Sequence, residues 1–215
     1  MKNGLLIFTG AFATLALSWA GVVLTAHHQL GSLTQYKDPV DDALYPQPLT
    51  GLADQGRQVY QDLGCVSCHT QQVRRDGFGS DITRKWGTRQ SVARDYIREK
   101  TVLIGSSRIG PDLRNVGARI PEADYFYKLL STPEATIGGA PIAHGMPAYP
   151  FLFEERPVGS VQSSHKSIKV LADGKELVPT RRAQALVAYL LSLKDTYEYP
   201  EAKPFVETEK KEGSH

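Results

Sequence analysis

The sequence predicts a mainly α-helical chain, with a single N-terminal transmembrane helix followed by one small helical domain that carries an inserted β-hairpin. Three observations lead to this prediction. Residues 5–24 form an uncharged apolar run, apolar side chains recur at helical spacing over 52–63 and 186–193, and residues 65–69 read C-x-x-C-H.

The composition, 41% hydrophobic and 22% charged with a formal net charge of +2, is ordinary for a globular domain. No basic run interleaved with aromatic residues occurs, so nucleic acid is not an expected partner.

The run over residues 5–24, LLIFTGAFATLALSWAGVVL, is long enough to cross a bilayer. About twenty residues at 1.5 Å each span the roughly 30 Å hydrocarbon layer. A cleaved signal peptide is the alternative, but its apolar region is shorter, about 7–15 residues, and residues 24–26 (LTA) are a poor cleavage site. Lys2 is the only cation before the run and Lys37 is the next, so we expect the N-terminus to stay in the cytoplasm. We therefore predict a retained anchor over residues 1–25.

Residues 26–49 show little periodicity and contain three prolines, which indicates an extended tether between the anchor and the domain. His27 and His28 lie in this tether without a partner at ligand spacing, so we expect them to be polar surface residues. The domain is predicted to occupy residues 50–199, and the charged residues 200–215 are predicted to form a loose tail.

Two amphipathic helices frame the predicted domain. Thr50 can cap the first, which runs to residue 63 and carries Gly56 where another helix would cross closely. The last helix is predicted over 180–194 and should pack across the first. Shorter helices are expected over 91–103 and 122–130.

Two further segments of the domain are predicted to be non-helical. Residues 138–150 are rich in glycine and proline, so no secondary structure is expected there. Residues 154–179 resemble an insertion in which Ile168 and Val170 alternate with lysines, and the Asp-Gly pair at 173–174 is a hairpin turn signal. We expect a small β-hairpin in this insertion.

The C-x-x-C-H pattern at Cys65, Cys68 and His69 is the attachment signature of a c-type haem. At this spacing each cysteine can form a thioether to one porphyrin vinyl group, and the next residue is held as an axial iron ligand. The chain has 2 cysteines in all, so a zinc site lacks a second ligand pair, and no βαβ pattern of a thioredoxin-like redox pair surrounds them. One covalent haem c is therefore predicted, in a domain outside the cytoplasm, where such haem is attached.

Candidates for the remaining ligand positions follow later in the chain. The turn at residues 110–113 offers the Pro111 carbonyl as an acceptor for the ring N–H of His69. Met146 lies in the stiff Gly/Pro loop, and a thioether there is a good soft axial ligand for the iron. His144, two residues earlier, is the alternative sixth ligand.

The propionate edge of a haem needs hydrogen-bond donors. Segment 71–108 is rich in arginine and carries Trp86, whose ring N–H could donate to a propionate. We therefore expect this segment to cover the propionate edge, with a solvated basic face as the alternative. Tyr149 could hydrogen-bond a propionate or pack on the ring edge.

The order of these features, from helix and CxxCH through the GPDL turn to the Met-Pro loop and terminal helix, resembles the class I cytochrome c fold. The resemblance covers roughly residues 50–153 and 180–196. Three stretches are similar to the anchored mono-haem subunit of cbb3-type cytochrome c oxidases, which is called subunit II or the O subunit. They are CVSCHTQQVR at 65–74, GSSRIGPDLRNVGAR at 105–119 and MPAYPFL at 146–152.

This resemblance implies thioethers at Cys65 and Cys68, axial ligands His69 and Met146, and Pro111 as the acceptor beside the histidine. It implies one-electron transfer to a large haem–copper oxidase subunit that reduces O2 to water, with another c-type cytochrome as the electron donor. The subunit would be anchored in the lipid of the bacterial inner membrane, with its haem domain on the periplasmic side. It would have no catalytic residues and no small-molecule substrate of its own.

Other readings of the sequence remain open at this point. The chain could be the small cytochrome c subunit of a nitric oxide reductase, or a free-standing membrane-anchored periplasmic cytochrome c. A peroxidase-like haem enzyme would need an open distal site, and Met146 argues against that. A purely structural membrane subunit would leave the CxxCH motif unexplained.

Overall fold

The computed structural model of the chain describes residues 3–133, 136–137, 140–141, 145–159, 167–171 and 173–203. Contacts among the described residues divide them into two units. The first unit comprises Met1–Pro46 and Ala93–Lys100, and the second comprises Gln47–Val92 and Thr101–His215. The apolar N-terminal run belongs to the first unit and the CxxCH motif to the second.

The first unit begins with one long apolar helix, α1 (Gly4–Leu30), in which Ala20–Leu24 has π-helical hydrogen bonding. Its 27 residues extend about 40 Å, which exceeds the roughly 30 Å thickness of the hydrocarbon layer. The hydroxyl groups of Thr9 and Thr14 each donate to a backbone carbonyl one turn earlier, at 2.8 Å. The length and composition of α1 therefore fit a single-pass membrane anchor.

The segment after residue 25 differs from the extended tether that the sequence predicts. The helix continues to Leu30 because residues 26–30 contain neither glycine nor proline, and Gly31 follows them. Beyond it, β1 (Tyr36–Lys37) pairs antiparallel with β2 (Leu44–Tyr45). The segment is thus a helical end followed by a small hairpin.

The prediction of a helix over 91–103 is wrong, because the structure has only a 3-10 turn there, at Ala93–Tyr96. The arginine side chains of this stretch are engaged in tertiary contacts within the first unit. Arg94 donates to the carbonyl of Thr34, and Arg98 donates to the amide oxygen of Gln35 at 2.6 Å. Contacts with distant residues therefore determine its conformation, and local periodicity does not.

The second unit is built on two crossed helices, α2 (Gly51–Asp62) and a C-terminal helix (Arg181–Ser192), as the sequence predicts. They meet at Gly56, where an added Cβ atom would lie 1.8 Å from the Ala185 carbonyl oxygen. Only glycine allows this close approach. The predicted capping by Thr50 is wrong, because Thr50 precedes α2 but its side chain makes no capping hydrogen bond.

Two short helices complete the helical core of the second unit. They are α3 (Val116–Arg119) and α4 (Ala123–Ser131), which precede the C-terminal helix, now α5. The side chains of Val116, Phe126 and Leu130 are buried in one hydrophobic cluster with those of α2 and α5. The helix expected over 122–130 is therefore confirmed.

The β-structure of the second unit is more extensive than the sequence predicts. β3 (Thr136–Ile137) pairs antiparallel with β4 (Ala140–Pro141), although no secondary structure was expected from residue 138 onward.

The insertion over 154–179 contains the expected hairpin and one more strand. β6 (Lys169–Val170) and β7 (Lys175–Pro179) form the hairpin, and β5 (Phe153–Pro157) pairs with the other side of β7. Phe153 and Val178 are both buried. Phe153 belongs to the hydrophobic core cluster of the second unit, which holds the start of the extra strand in place.

The chain remains ordered past the start of the predicted loose tail. Tyr199 is fully buried, and Pro200–Ala202 forms a 3-10 turn. The guanidinium group of Arg89 lies over the Tyr197 and Tyr199 rings, 5.1 and 4.8 Å from their centroids. Residues 204–215 lie outside the described residues.

The close contact between α2 and α5 predicts the effect of adding a side chain at Gly56. Gly56→Ala should destabilise the second unit by about 2 kcal/mol, because the new Cβ atom would collide with the Ala185 carbonyl. We expect the thermal unfolding midpoint of the detergent-purified chain to fall by roughly 4–8 °C. Gly10→Ala is the matched control, because a Cβ atom there meets nothing within 4 Å. Equal thermal unfolding midpoints for the two variants would contradict the close contact between Gly56 and the Ala185 carbonyl.

Candidate haem-binding site

The two cysteines and the histidine of the motif follow directly after α2. Gly64 ends the helix with a left-handed backbone, φ +69°, and the chain then makes a 3-10 turn over Cys65–Ser67. The N–H of His69 donates to the Cys65 carbonyl at 3.0 Å. A left-handed residue at position 64 favours glycine, and the tight turn brings all three motif side chains to one cavity.

The ring of His69 is held by the turn that follows residue 109. Its Nδ1 atom lies 2.8 Å from the carbonyl oxygen of Pro111. Because a carbonyl can only accept, Nδ1 carries the proton and Nε2 keeps a free lone pair. Gly110 lies against the same ring, since an added Cβ atom there would be 2.2 Å from Cε1 of His69. The imidazole is therefore fixed in both tautomer and position.

A cavity of about 320 Å³ opens beside these residues, entirely within the second unit. Most of its lining is apolar and comes from the segment after Pro111 and from α4 and α5. The apolar lining includes Leu113, Val116, Ile120, Phe126, Leu129, Leu130, Leu186 and Leu190. Such a concave apolar site with a few placed polar groups is typical of cofactor binding.

The cavity brings together six of the seven site residues that the sequence singles out. These are Cys65, Cys68, His69, Pro111, Met146 and Tyr149, which all line it. The rival ligand His144 lies outside the described residues. The choice between the two candidate sixth ligands therefore still rests on the sequence.

The seventh residue, Trp86, does not line the cavity. The guanidinium groups of Arg84 and Arg108 lie against its ring, 5.1 and 5.6 Å from the ring centroid. None of the residues 71–108 belongs to the cavity lining that the structure describes. The expectation that this segment covers a propionate edge through its arginines therefore finds no support in the cavity.

Two arginines of that segment, Arg74 and Arg108, bind a buried carboxylate. Asp81 is 0% exposed and accepts hydrogen bonds from the backbone N–H of Arg74, at 2.8 Å, and from the side chains of Arg74 and Arg108. Burial alone would raise the pKa of Asp81, but these donors outweigh it and hold that pKa well below its usual range. Arg74, Arg108 and Asp81 thus form an internal ion-pair network.

Arg119, at the end of α3, is a cavity residue that the sequence did not indicate. It lines the cavity, and its Nη2 atom donates to the carbonyl of Asp112. Its Nε atom is buried and has no hydrogen-bond partner among the described residues. Burial lowers the pKa of Arg119, and arginine nevertheless remains a cation at neutral pH. The available signal in the sequence was an arginine eight residues after Pro111.

The two thiols lie at the mainly apolar cavity. Burial raises the pKa of the Cys65 thiol to about 11, so this thiol is neutral at neutral pH. Within the described ranges, no three His, Cys, Asp or Glu side chains cluster as metal ligands. The sulfur atoms instead face an apolar cavity.

These features fit a haem bound through the CxxCH motif. Both thiols and a histidine with a free Nε2 atom face one cavity, and the walls of that cavity are mainly apolar. The unpartnered Nε of Arg119 supplies a buried donor suited to a carboxylate, such as a propionate. The donor set thus matches the porphyrin, the iron and the acidic side chains of one haem.

A family model described as cytochrome C oxidase, mono-heme subunit/FixO matches residues 6–175 of this chain. The match includes most of α1, the CxxCH motif, the Pro111 turn and Met146, and it ends at the first residue of β7. No curated protein matches the chain.

The Asp81 network predicts how stability depends on pH. The folded-state pKa of Asp81 is lowered from its model-compound range near 4, so its stabilising effect is complete above that range and is lost as pH falls below it. Asp81→Asn should cost about 2 kcal/mol at pH 7, and the difference from the native chain should shrink below about pH 4.

Denaturant unfolding at a series of pH values measures this difference. The control is Glu154→Gln, since the Glu154–Arg156 pair is exposed and should contribute well under about 1 kcal/mol. A stability difference for Asp81→Asn that stays constant down to pH 2 would contradict the proposed charge network.

Proposed function

The chain belongs to the FixO family of mono-haem cytochrome c oxidase subunits, and we propose that it relays single electrons through one covalently bound haem c to a haem–copper subunit that reduces O2 to water. The proposal rests on one observation. Both cysteines of the C-x-x-C-H motif line the same cavity as His69, whose ring is held by a hydrogen bond to the Pro111 carbonyl. Family membership makes the chain a subunit of an oxidase complex and implies a catalytic subunit as its partner.

The proposal assigns a role to each predicted cavity residue. Cys65 and Cys68 would hold the haem through thioethers, while Nε2 of His69 and the sulfur of Met146 would be its axial ligands. When bound, the haem supplies a one-electron couple between ferric and ferrous iron. Filling both axial positions leaves no open site for a substrate, so the subunit itself would catalyse no reaction.

The other cavity residues would set the environment of the iron. The leucine and phenylalanine side chains exclude water from the site, which is one of the factors that determine a haem reduction potential. Arg119 would hold a propionate through its buried Nε atom. Tyr149 is half-buried at the same cavity and would hydrogen-bond a propionate or pack on the ring edge. Trp86 has no part in this set.

The proposed domain is a class I cytochrome c fold over residues 50–199, held at the membrane by α1. A single N-terminal apolar helix suits a single-pass anchor. We propose the bacterial inner membrane, with the N-terminus in the cytoplasm and the haem domain on the periplasmic side, because covalent haem is attached outside the cytoplasm. Another c-type cytochrome would supply the electrons.

Purification in mild detergent tests the proposed partner. The full chain should co-purify with one large subunit that contains both haem and copper, and reduced protein should be reoxidised by O2 only in that complex. The control is the same preparation with residues 4–30 replaced by an unrelated single-pass helix, which separates association through the domain from association through α1. A chain that purifies alone, or with a subunit that reduces nitric oxide, would contradict the oxidase assignment.

Carbon monoxide binding tests the sixth ligand. Met146→Leu should open an axial position, so the ferrous variant should bind carbon monoxide rapidly while the native chain does not. The control is His144→Ala, which should leave carbon monoxide binding as slow as in the native chain. Rapid binding in His144→Ala alone would assign the ligand to His144. Rapid binding to the native protein would favour the peroxidase-like reading.

A further inference from the structure

The segment that contains His69 is joined to the Pro111 turn by several hydrogen bonds. The backbone bonds between residues 68–70 and 110–113 lie on both sides of the His69–Pro111 contact. They run from the Gly110 N–H to the Cys68 carbonyl, at 2.9 Å, and from the Leu113 N–H to the Thr70 carbonyl, at 2.8 Å. The His69–Pro111 contact thus lies between two backbone hydrogen bonds that join the segments, and we call this set of bonds the ladder.

One side chain reinforces this ladder from within. The carboxylate of Asp112 is 0% exposed and accepts hydrogen bonds from three donors on both segments. The donors are the Thr70 hydroxyl at 2.6 Å, the Gln72 N–H at 2.8 Å and the Arg114 N–H at 2.8 Å. Asp112 directly follows Pro111, and Thr70 directly follows His69. Its carboxylate therefore connects the residues adjacent to both partners of the imidazole hydrogen bond.

We propose that Asp112 is a positioning residue for the axial histidine. Its carboxylate fixes the distance between the His69 ring and the Pro111 carbonyl by holding Thr70 and Gln72 against the turn. The proposal rests on the proposed haem site, because the geometry of the imidazole matters only if His69 is a ligand. It assigns Asp112 no contact with the haem.

The effect on the iron follows from the strength of the Nδ1–H···O bond. A strong bond makes the imidazole a better electron donor, which favours ferric iron and lowers the reduction potential. Loosening the ladder would lengthen this bond and raise the potential. The same loosening would expose the ring N–H to exchange with solvent.

A purely electrostatic role for Asp112 makes a different prediction. A buried negative charge also favours ferric iron, so Asp112→Asn raises the potential under either account. Thr70→Val separates the two, because it removes a hydrogen bond from the carboxylate and leaves its charge in place. Positioning predicts a higher potential for Thr70→Val, whereas electrostatics alone predicts an unchanged or lower one. Arg108, whose Nη2 atom is 3.8 Å from Asp112 Oδ2, is present in both variants.

The experiment uses the full chain, purified with its haem in detergent. Midpoint potentials are measured by redox titration, and hydrogen–deuterium exchange of the His69 ring N–H is measured by NMR of the ferrous form. Thr70→Val and Asp112→Asn should both raise the potential and accelerate ring N–H exchange about tenfold, as expected for the loss of one hydrogen bond.

The matched control is Thr180→Val, the same substitution at a hydroxyl that donates to the Leu152 carbonyl, at 2.9 Å, and to none of residues 68–72 or 110–114. This variant should leave the ring N–H exchange unchanged. Unchanged exchange in Thr70→Val, or equal acceleration in Thr180→Val, would overturn the positioning role. A native chain that carries no haem would instead overturn the proposed function, so the two failures are distinguishable.

Discussion

The hydrogen bond from the His69 ring to the Pro111 carbonyl is the contact on which the rest of the site depends. It decides which ring nitrogen carries the proton, and therefore which one is free to bind iron. The bond exists because two segments about 40 residues apart are joined by backbone bonds and by the buried Asp112 carboxylate. The cavity walls and the two cysteines are then arranged around an imidazole of fixed orientation.

Close backbone approaches give the site its rigidity. Gly56 lets α2 cross α5 at contact distance, and this crossing fixes the direction in which α2 delivers the CxxCH turn. Gly64 then reverses the chain with a left-handed backbone, and Gly110 allows the turn to lie against the imidazole. At each of these positions a side chain would either collide with a neighbour or strain the backbone. The haem-binding geometry therefore depends on three small residues outside the ligand set.

The sequence predicted the features that depend on local pattern. The helices that became α2 and α5 and the CxxCH turn each follow from a spacing within a few residues. The acceptor at Pro111 was predicted from the turn pattern at residues 110–113. Features that depend on distant contacts were missed. The basic run after the motif was expected at the cavity, yet Arg74 and Arg108 pair with Asp81, and that pairing has no periodic signature. Arg119 lines the cavity and donates to the Asp112 carbonyl, and neither contact has a local signature in the sequence.

The central claim is that this cavity holds one haem through two thioethers. Mass spectrometry of the intact chain, purified from membranes of a host that attaches c-type haem, tests it most directly. The account predicts a mass increase equal to one haem, retained after acid–acetone extraction and lost when Cys65 and Cys68 are both replaced by serine. A chain with the mass of the polypeptide alone, or a haem that extraction removes, would contradict the account.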